Sequence, residues 1–121
     1  MPKESFLKNR IHSVGYALRG AWLLIRTEPS IKIQVVIGLA VTAAGFYFEI
    51  STIEWIVQIF AIALVLGIEG LNTAIEKIAD YIQPDYDHKI GFIKDISAGA
   101  VMLVSIASAI IGIIIYWPKI F

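Results

Sequence analysis

Hydrophobic positions along this chain change rhythm several times, and each change marks an element. Between residues 4 and 27, Phe6, Leu7, Ile11, Val14, Leu18, Trp22 and Ile25 recur at helical spacing, with Lys3, Lys8, Arg10, Arg19 and Arg26 among them. An apolar stripe flanked by basic residues predicts an amphipathic helix lying in a membrane interface, its Trp22 side in the acyl boundary and its arginines toward anionic headgroups. The plainer alternative is a helix packed on a protein core, but so short a chain has little other protein to pack on. Glu28-Pro29-Ser30 then breaks the stripe, and proline suits the start of a helix better than its interior.

From there periodicity gives way to continuous apolar runs. The first, about 31–48 with Lys32 and Gln34 at its polar start, reaches roughly 27 Å as a helix, close to the hydrocarbon thickness of a bilayer. Glu49 to Glu54 is a short acidic turn without lysine or arginine. The second run, about 53–82, makes roughly 45 Å of helix, longer than the hydrocarbon core, so it should project from one face. Gln83-Pro84-Asp85 ends it with a turn signal, and a polar loop leads to a third span at about 90–117. That span is uncharged from Ile96 to Trp117, and Ser97, Gly99, Ser105, Ser108 and Gly112 let another helix approach closely. Trp117-Pro118-Lys119 marks its exit. The expected fold is therefore all-α integral membrane: three transmembrane helices plus an N-terminal amphipathic surface helix, in one domain covering 1–121.

Composition agrees and excludes several classes. A hydrophobic fraction of 58% and a mean hydropathy of +0.76 exceed what a soluble domain of this length carries. A formal net charge of zero gives no general attraction to nucleic acid, and the lack of cysteine excludes disulfides and thiolate metal sites. The opening residues are too polar for a signal peptide. Nine of the ten Lys and Arg fall in the N-terminal segment through Lys32 or in residues 77–94. The positive-inside rule then predicts a cytoplasmic N-terminus and 77–95 loop, with the 49–54 turn and the C-terminus outside.

On the second helix Glu69, Asn72, Glu76 and Asp80 fall in one narrow stripe, since each residue turns a helix by about 100°. An acid at the edge of a span is costly unless something uses it. Depth divides the stripe. Glu69 is placed just inside the hydrocarbon boundary, where a lipid alcohol presents its hydroxyl, and is the candidate general base. Glu76 is placed at headgroup depth with Glu28, and these two carboxylates suit a hard cation such as Mg²⁺ held through oxygen, with positions left for phosphate. Asn72 lies between, able to orient Glu69 or a phosphate oxygen. Lys94 is a candidate phosphate partner, and Asp95 an acceptor for ribose, base or a cation. Together these read as Mg²⁺-dependent phosphoryl transfer to a lipid alcohol. Plainer readings stand beside them: interhelical hydrogen bonding for the glutamates and Asn72, interfacial anchoring for Lys94 and Asp95, a surface charge for Glu28, and a peripheral place for Asp80. His12 and His88 do not stand at metal-ligand spacing in the sequence, and neither a G-x-x-x-x-G-K-S/T loop nor the protein-kinase motif set is present. The competing function is a non-enzymatic channel or scaffold using Glu69 as an ion or proton site. Against it, no charged relay continues through Trp55–Ile68 or Ile96–Tyr116.

Glu69-Gly70-Leu71-Asn72-Thr73-Ala74-Ile75-Glu76, with Asp80, resembles the E-x-x-N-S/T-A-I/V-E-x-x-x-D signature of the prokaryotic diacylglycerol kinase family, which includes undecaprenol kinases. Gly15-Tyr16, Glu28 and the Lys94-to-Val101 segment fit as well, so the resemblance covers nearly the whole chain. It implies an ATP-dependent lipid kinase of the bacterial inner membrane, a homotrimer with active sites shared between neighbouring subunits. It also implies Glu69 as general base with Asn72 in support, and Glu28 and Glu76 as ligands of Mg²⁺. Arg10, Tyr16, Glu28, Glu76, Asp85, Tyr86, Asp87, Lys94 and Asp95 are implied as nucleotide contacts, Arg10 with a one-position displacement. Trp22 and Ala98 join Glu69 on the lipid substrate. A tryptophan that diacylglycerol-using members carry late in the third span is replaced here by Gly112. That difference and the Tyr116-Trp117-Pro118-Lys119 ending lean toward undecaprenol, with diacylglycerol second.

Overall fold

The computed structural model of the protein describes residues 5–121, and Lys3 and the expected helix start at residue 4 lie outside the described residues. Four helices follow one another: α1 Phe6–Thr27, α2 Pro29–Tyr47, α3 Thr52–Ile82 and α4 His88–Ile120. The last three are long and apolar enough to cross a membrane. At 1.5 Å per residue α3 and α4 reach roughly 46 and 50 Å, so both extend well past a hydrocarbon core.

Local chemistry explains the boundaries. Ser5 caps α1 by accepting from the Lys8 backbone N–H at 3.2 Å. Pro29 opens α2, two residues before the expected span, because the first turn needs no N–H from it. The α2–α3 turn is a Schellman motif: Glu49 takes a left-handed φ of 50° while the Ile50 and Glu49 N–H groups donate back to the carbonyls of Gly45 and Phe46. Ser51 and Glu54 then form a capping box at the start of α3. Asp87 caps α4 by accepting from the N–H groups of Lys89 and Ile90. At its other end α4 continues through Pro118 to Ile120, beyond the expected exit at 117. Proline in a last turn removes only one bond of the ladder, and the Lys119 ammonium donates to the Ile115 carbonyl at 2.9 Å.

The helices α2, α3 and α4 pack antiparallel in sequence order, α3 most extensively against α4. Along the α2–α3 face the contacts step up one helix and down the other. Gly45 meets Trp55, Gly38 meets Ile62, Gln34 meets Glu69, and Glu28 meets Lys77. Gly45 is there because a Cβ would come within 2.7 Å of the Trp55 ring. The α3–α4 face steps the same way, through Glu54–Lys119, Gln58–Tyr116 and Asp80–Lys94. α1 has no buried residue; Leu7, Ile11, Val14, Leu18 and Trp22 are exposed in the protomer. Near its end, Leu24 rests against Gly70, where an added Cβ would lie 3.0 Å from Leu24 Cδ1.

Candidate active site

The polar stripe of α3 is a continuation of its packing seam. Positions 58, 62, 65, 69, 72, 76 and 79 alternate in steps of three and four, which keeps them on one side of a helix. Gln58, Val65, Glu69 and Ala79 are buried, Ile62 and Asn72 half-buried, and Glu76 exposed. Glu69 is therefore an acid in a position that a bundle ordinarily gives to leucine or valine, and it retains only 8% exposure.

Around it the hydrogen bonding is incomplete. The Gln34 side chain of α2 lies beside the Glu69 carboxyl. Glu69 Oε2 and Asn72 Oδ1 are nonetheless buried without a partner among the described residues. Native proteins pair nearly all such atoms, so an orphaned carboxylate oxygen beside an orphaned amide oxygen marks a place shaped for something else. The other end of the Asn72 amide is committed, since Nδ2 donates to Glu76 Oε1 at 3.1 Å and fixes that carboxylate one turn along.

Glu28, at the α1–α2 junction, is level with Glu76 and forms an ion pair of 3.3 Å with the adjacent Lys77. No group of three or more His, Cys, Asp or Glu able to hold a metal forms among the described residues. The donors available are the carboxylates of Glu28 and Glu76, an all-oxygen pair that leaves most of a coordination sphere to phosphate and water, which suits Mg²⁺. Lys94, half-exposed on α4, is paired with Asp80. Asp80 thus holds the candidate phosphate lysine in place, rather than merely ending the stripe. The antiparallel register puts Ala98 at the level of Glu76, and Asp95 is exposed one residue past Lys94. In the α3–α4 loop Asp87 is already used as a helix cap, Asp85 is exposed, and the exposed Tyr86 ring packs beside Gly91.

The residues expected on α1 are not drawn into this group. The Arg10 guanidinium lies 5.4 Å over the Phe6 ring, and Tyr16 and Trp22 are largely exposed. No hydrogen bond or ion pair among the described residues joins these three to the α3 carboxylates. Two polar residues join the seam that sequence order alone does not assign to it: Gln34, at the polar start of the first span, and Gln58. The available signal was that both are amides inside otherwise apolar runs, where an amide needs a partner across a helix interface.

The chain's similarity to known proteins bears on what occupies this place. The sequence pattern of prokaryotic diacylglycerol kinase matches residues 15–116, a span that contains Tyr16, Glu28, the whole α3 stripe and Lys94-Asp95. The chain belongs to the prokaryotic diacylglycerol kinase family. Within that family it is 37% identical over 114 residues to an undecaprenol kinase of Bacillus subtilis, covering 94% of this chain and 89% of the relative. It is 29% identical over 110 residues to the diacylglycerol kinase of Escherichia coli, covering 88% of each. Membership makes the protein a lipid kinase that spans a membrane, and the α3 stripe with its two orphaned oxygens is the candidate for its chemistry.

Proposed function

We propose that this protein transfers the γ-phosphate of ATP to the hydroxyl of a membrane lipid alcohol, undecaprenol ahead of diacylglycerol, with Mg²⁺, at the cytoplasmic face of a bacterial inner membrane. The observation that carries the reading is the buried, unpartnered Glu69 Oε2 on a helix whose next turns hold Asn72 and Glu76. As general base, Glu69 accepts the lipid hydroxyl proton. The lipid oxygen bonds to the γ-phosphorus, and the bond from that phosphorus to the β–γ bridging oxygen breaks, releasing ADP. Asn72 Oδ1 is free to orient the incoming hydroxyl while its Nδ2 keeps Glu76 in place. Glu28 and Glu76 are the ligands for Mg²⁺, which when bound neutralises phosphate oxygens. To serve the metal, Glu28 must exchange Lys77 for it, and Lys94 must exchange Asp80 for phosphate. Both pairs are solvent-accessible and weak enough to open.

Asp95, Tyr86 and Asp85 are placed for nucleotide contacts near the Lys94 end of α4. Asp87 shares that place with its cap role. Arg10, Tyr16 and Glu28 approach from α1 and its end, with Trp22 and Ala98 on the lipid side. That Arg10, Tyr16 and Trp22 find no polar partner near the stripe in their own protomer supports sites completed by a neighbouring subunit, as in a homotrimer. The preference for undecaprenol rests on the greater similarity to the Bacillus subtilis enzyme than to the Escherichia coli one. An N-terminus in the cytoplasm and a C-terminus outside follow from the placement of the basic residues.

The decisive assay is transfer of labelled γ-phosphate from Mg-ATP to undecaprenol and diacylglycerol by purified protein in lipid, ranked by kcat/KM. Phosphorylation of either alcohol, lost in Glu69→Gln, supports the reading. Ion flux through liposomes without nucleotide binding would replace it with the channel reading. Thermal stabilisation by ATP, with and without Mg²⁺, separates the two quickly.

A further inference from the structure

The last two turns of α3 carry two charges that the proposed reaction does not use, Lys77 and Asp80. They stand three residues apart, so their side chains are neighbours on one flank of the helix. Each is engaged by a group that the kinase reading does use. Lys77 Nζ lies 3.3 Å from Glu28 Oε1, and Asp80 holds the Lys94 ammonium. Exposure divides the same way in both pairs. The inner member belongs to the proposed ATP site, Glu28 at 23% and Lys94 at 37%. The outer member is the α3 residue, Lys77 at 70% and Asp80 at 62%.

Two further features bear on how these pairs open. Glu28 is the N-cap of α2, yet its side chain makes no capping bond, so its carboxylate is not committed to the helix it begins. Lys77 is its ion-pair partner among the described residues. Asp80 sits in the last turn of α3, where the negative end of the helix disfavours an anion, and that turn has no basic residue of its own. Asp80 is therefore costly without a cation beside it. When Lys94 turns to phosphate, the adjacent cation on the helix is Lys77, a point charge on a flexible stem.

We propose that Lys77 is a tethered counter-ion that passes from Glu28 to Asp80 as nucleotide binds, so that phosphate contact at Lys94 and release of the Glu28 carboxylate are one coupled exchange. The proposal rests on the kinase reading above and adds to it a residue with no part in the chemistry. While Lys77 holds Glu28, its ammonium competes with a divalent cation for the same carboxylate oxygen. Once phosphate draws Lys94 away, Asp80 takes Lys77 and Glu28 is free to ligate. Each acid keeps a cation at every stage, so neither is left unpaired. Lys77 is thus a positioning residue, acting on the metal through Glu28 and on phosphate through Asp80. Because such coupling is reciprocal, metal at Glu28 favours nucleotide by the same factor.

Substituting an exposed lysine spares the packing of α3. The full protein in lipid nanodiscs is titrated with Mn²⁺ alone, read by electron paramagnetic resonance, and with ATP in excess EDTA, read by equilibrium dialysis. Lys77→Met should bind Mn²⁺ roughly two- to fivefold more tightly and metal-free ATP more weakly by a similar factor, the size that one exposed ion pair confers. Lys77→Arg should match wild type in both. Loss of a positive charge acting only through space would give the same signs, so the deciding measurement adds Asp80→Asn. With Asp80 neutral nothing receives Lys77, and Lys77→Met should no longer change ATP binding while it still tightens Mn²⁺. A loss of ATP affinity that is the same with and without Asp80 overturns the proposal. So does an unchanged Mn²⁺ affinity in Lys77→Met, a measurement that needs no change at Asp80. Either result leaves phosphate transfer by wild type, and with it the kinase reading, intact. Failure of wild type to phosphorylate any lipid alcohol overturns both.

Discussion

The two ends of the α3 seam carry polar groups of similar cost and treat them in opposite ways. At the Glu54 end every such group is engaged. Glu54 and Lys119 form an ion pair of 2.8 Å, and Gln58, Tyr116 and the Val41 carbonyl bond to one another. At the Glu69 end, Glu69 Oε2 and Asn72 Oδ1 are buried without a partner among the described residues. In a low-polarity setting a satisfied network fixes register, whereas an unsatisfied one is a standing cost. The Glu54 end therefore holds the bundle together, and the Glu69 end is, on the proposed function, where the reacting hydroxyl is met. Stability and catalysis should separate along one helix.

The largest effect expected is at Glu69. Glu69→Gln should lower kcat by about 10²–10⁴-fold while the melting temperature stays the same or rises, since the change removes a buried acid with an orphaned oxygen. A variant that keeps its rate would break the comparison at its functional end. Next is Glu76→Gln, which removes one of two proposed metal ligands. The Mg²⁺ concentration for half-maximal rate should rise roughly tenfold or more, with binding of the lipid alcohol unchanged. Gly45→Leu acts at the other end, forcing a side chain into the Trp55 ring. It should cost about 1–3 kcal/mol of stability, read from denaturation in detergent, with normal activity per folded molecule. Tyr116→Phe keeps the ring and deletes the hydroxyl that joins α2, α3 and α4. A loss of about 0.6–1.7 kcal/mol is expected, again with activity retained. Lys119→Met should be mildest, because its pair with Glu54 sits at the water-accessible end of the bundle, and little change in melting temperature is expected.

Much of the architecture is legible in the order of residues. Pro29 and Gln83-Pro84 announce their breaks, and the apolar runs give three spans because a bilayer demands a minimum length. The Glu69–Asp80 stripe stands out because acids inside an apolar helix are rare and costly. Contacts between helices are less visible. That Gln34 faces Glu69, that Asp80 holds Lys94, and that Gln58 meets Tyr116 all depend on how far one helix slides past another. Residues scattered across three helices set that slide, among them Gly38 and Gly45. The helix α4 continues past Trp117 because Pro118, which reads as a stop, leaves only one carbonyl to be satisfied otherwise when it falls in a last turn. The seam carries both Glu69, which is buried, and Glu76, which is exposed, on one side of α3. Its period of three and four was present in the sequence, but its direction became plain only with α2 and α4 in place.

A single-turnover measurement on Glu69→Gln tests the central claim most directly. The variant is loaded with labelled Mg-ATP in lipid, binding is verified, and undecaprenol is added. If Glu69 Oε2 is the proton acceptor, nucleotide binds as in wild type and labelled lipid phosphate forms at least about a hundredfold more slowly. Transfer at the wild-type rate would show that the unpartnered oxygen takes no part in the reaction, and the division of the α3 seam into a holding end and a reacting end would fall with it.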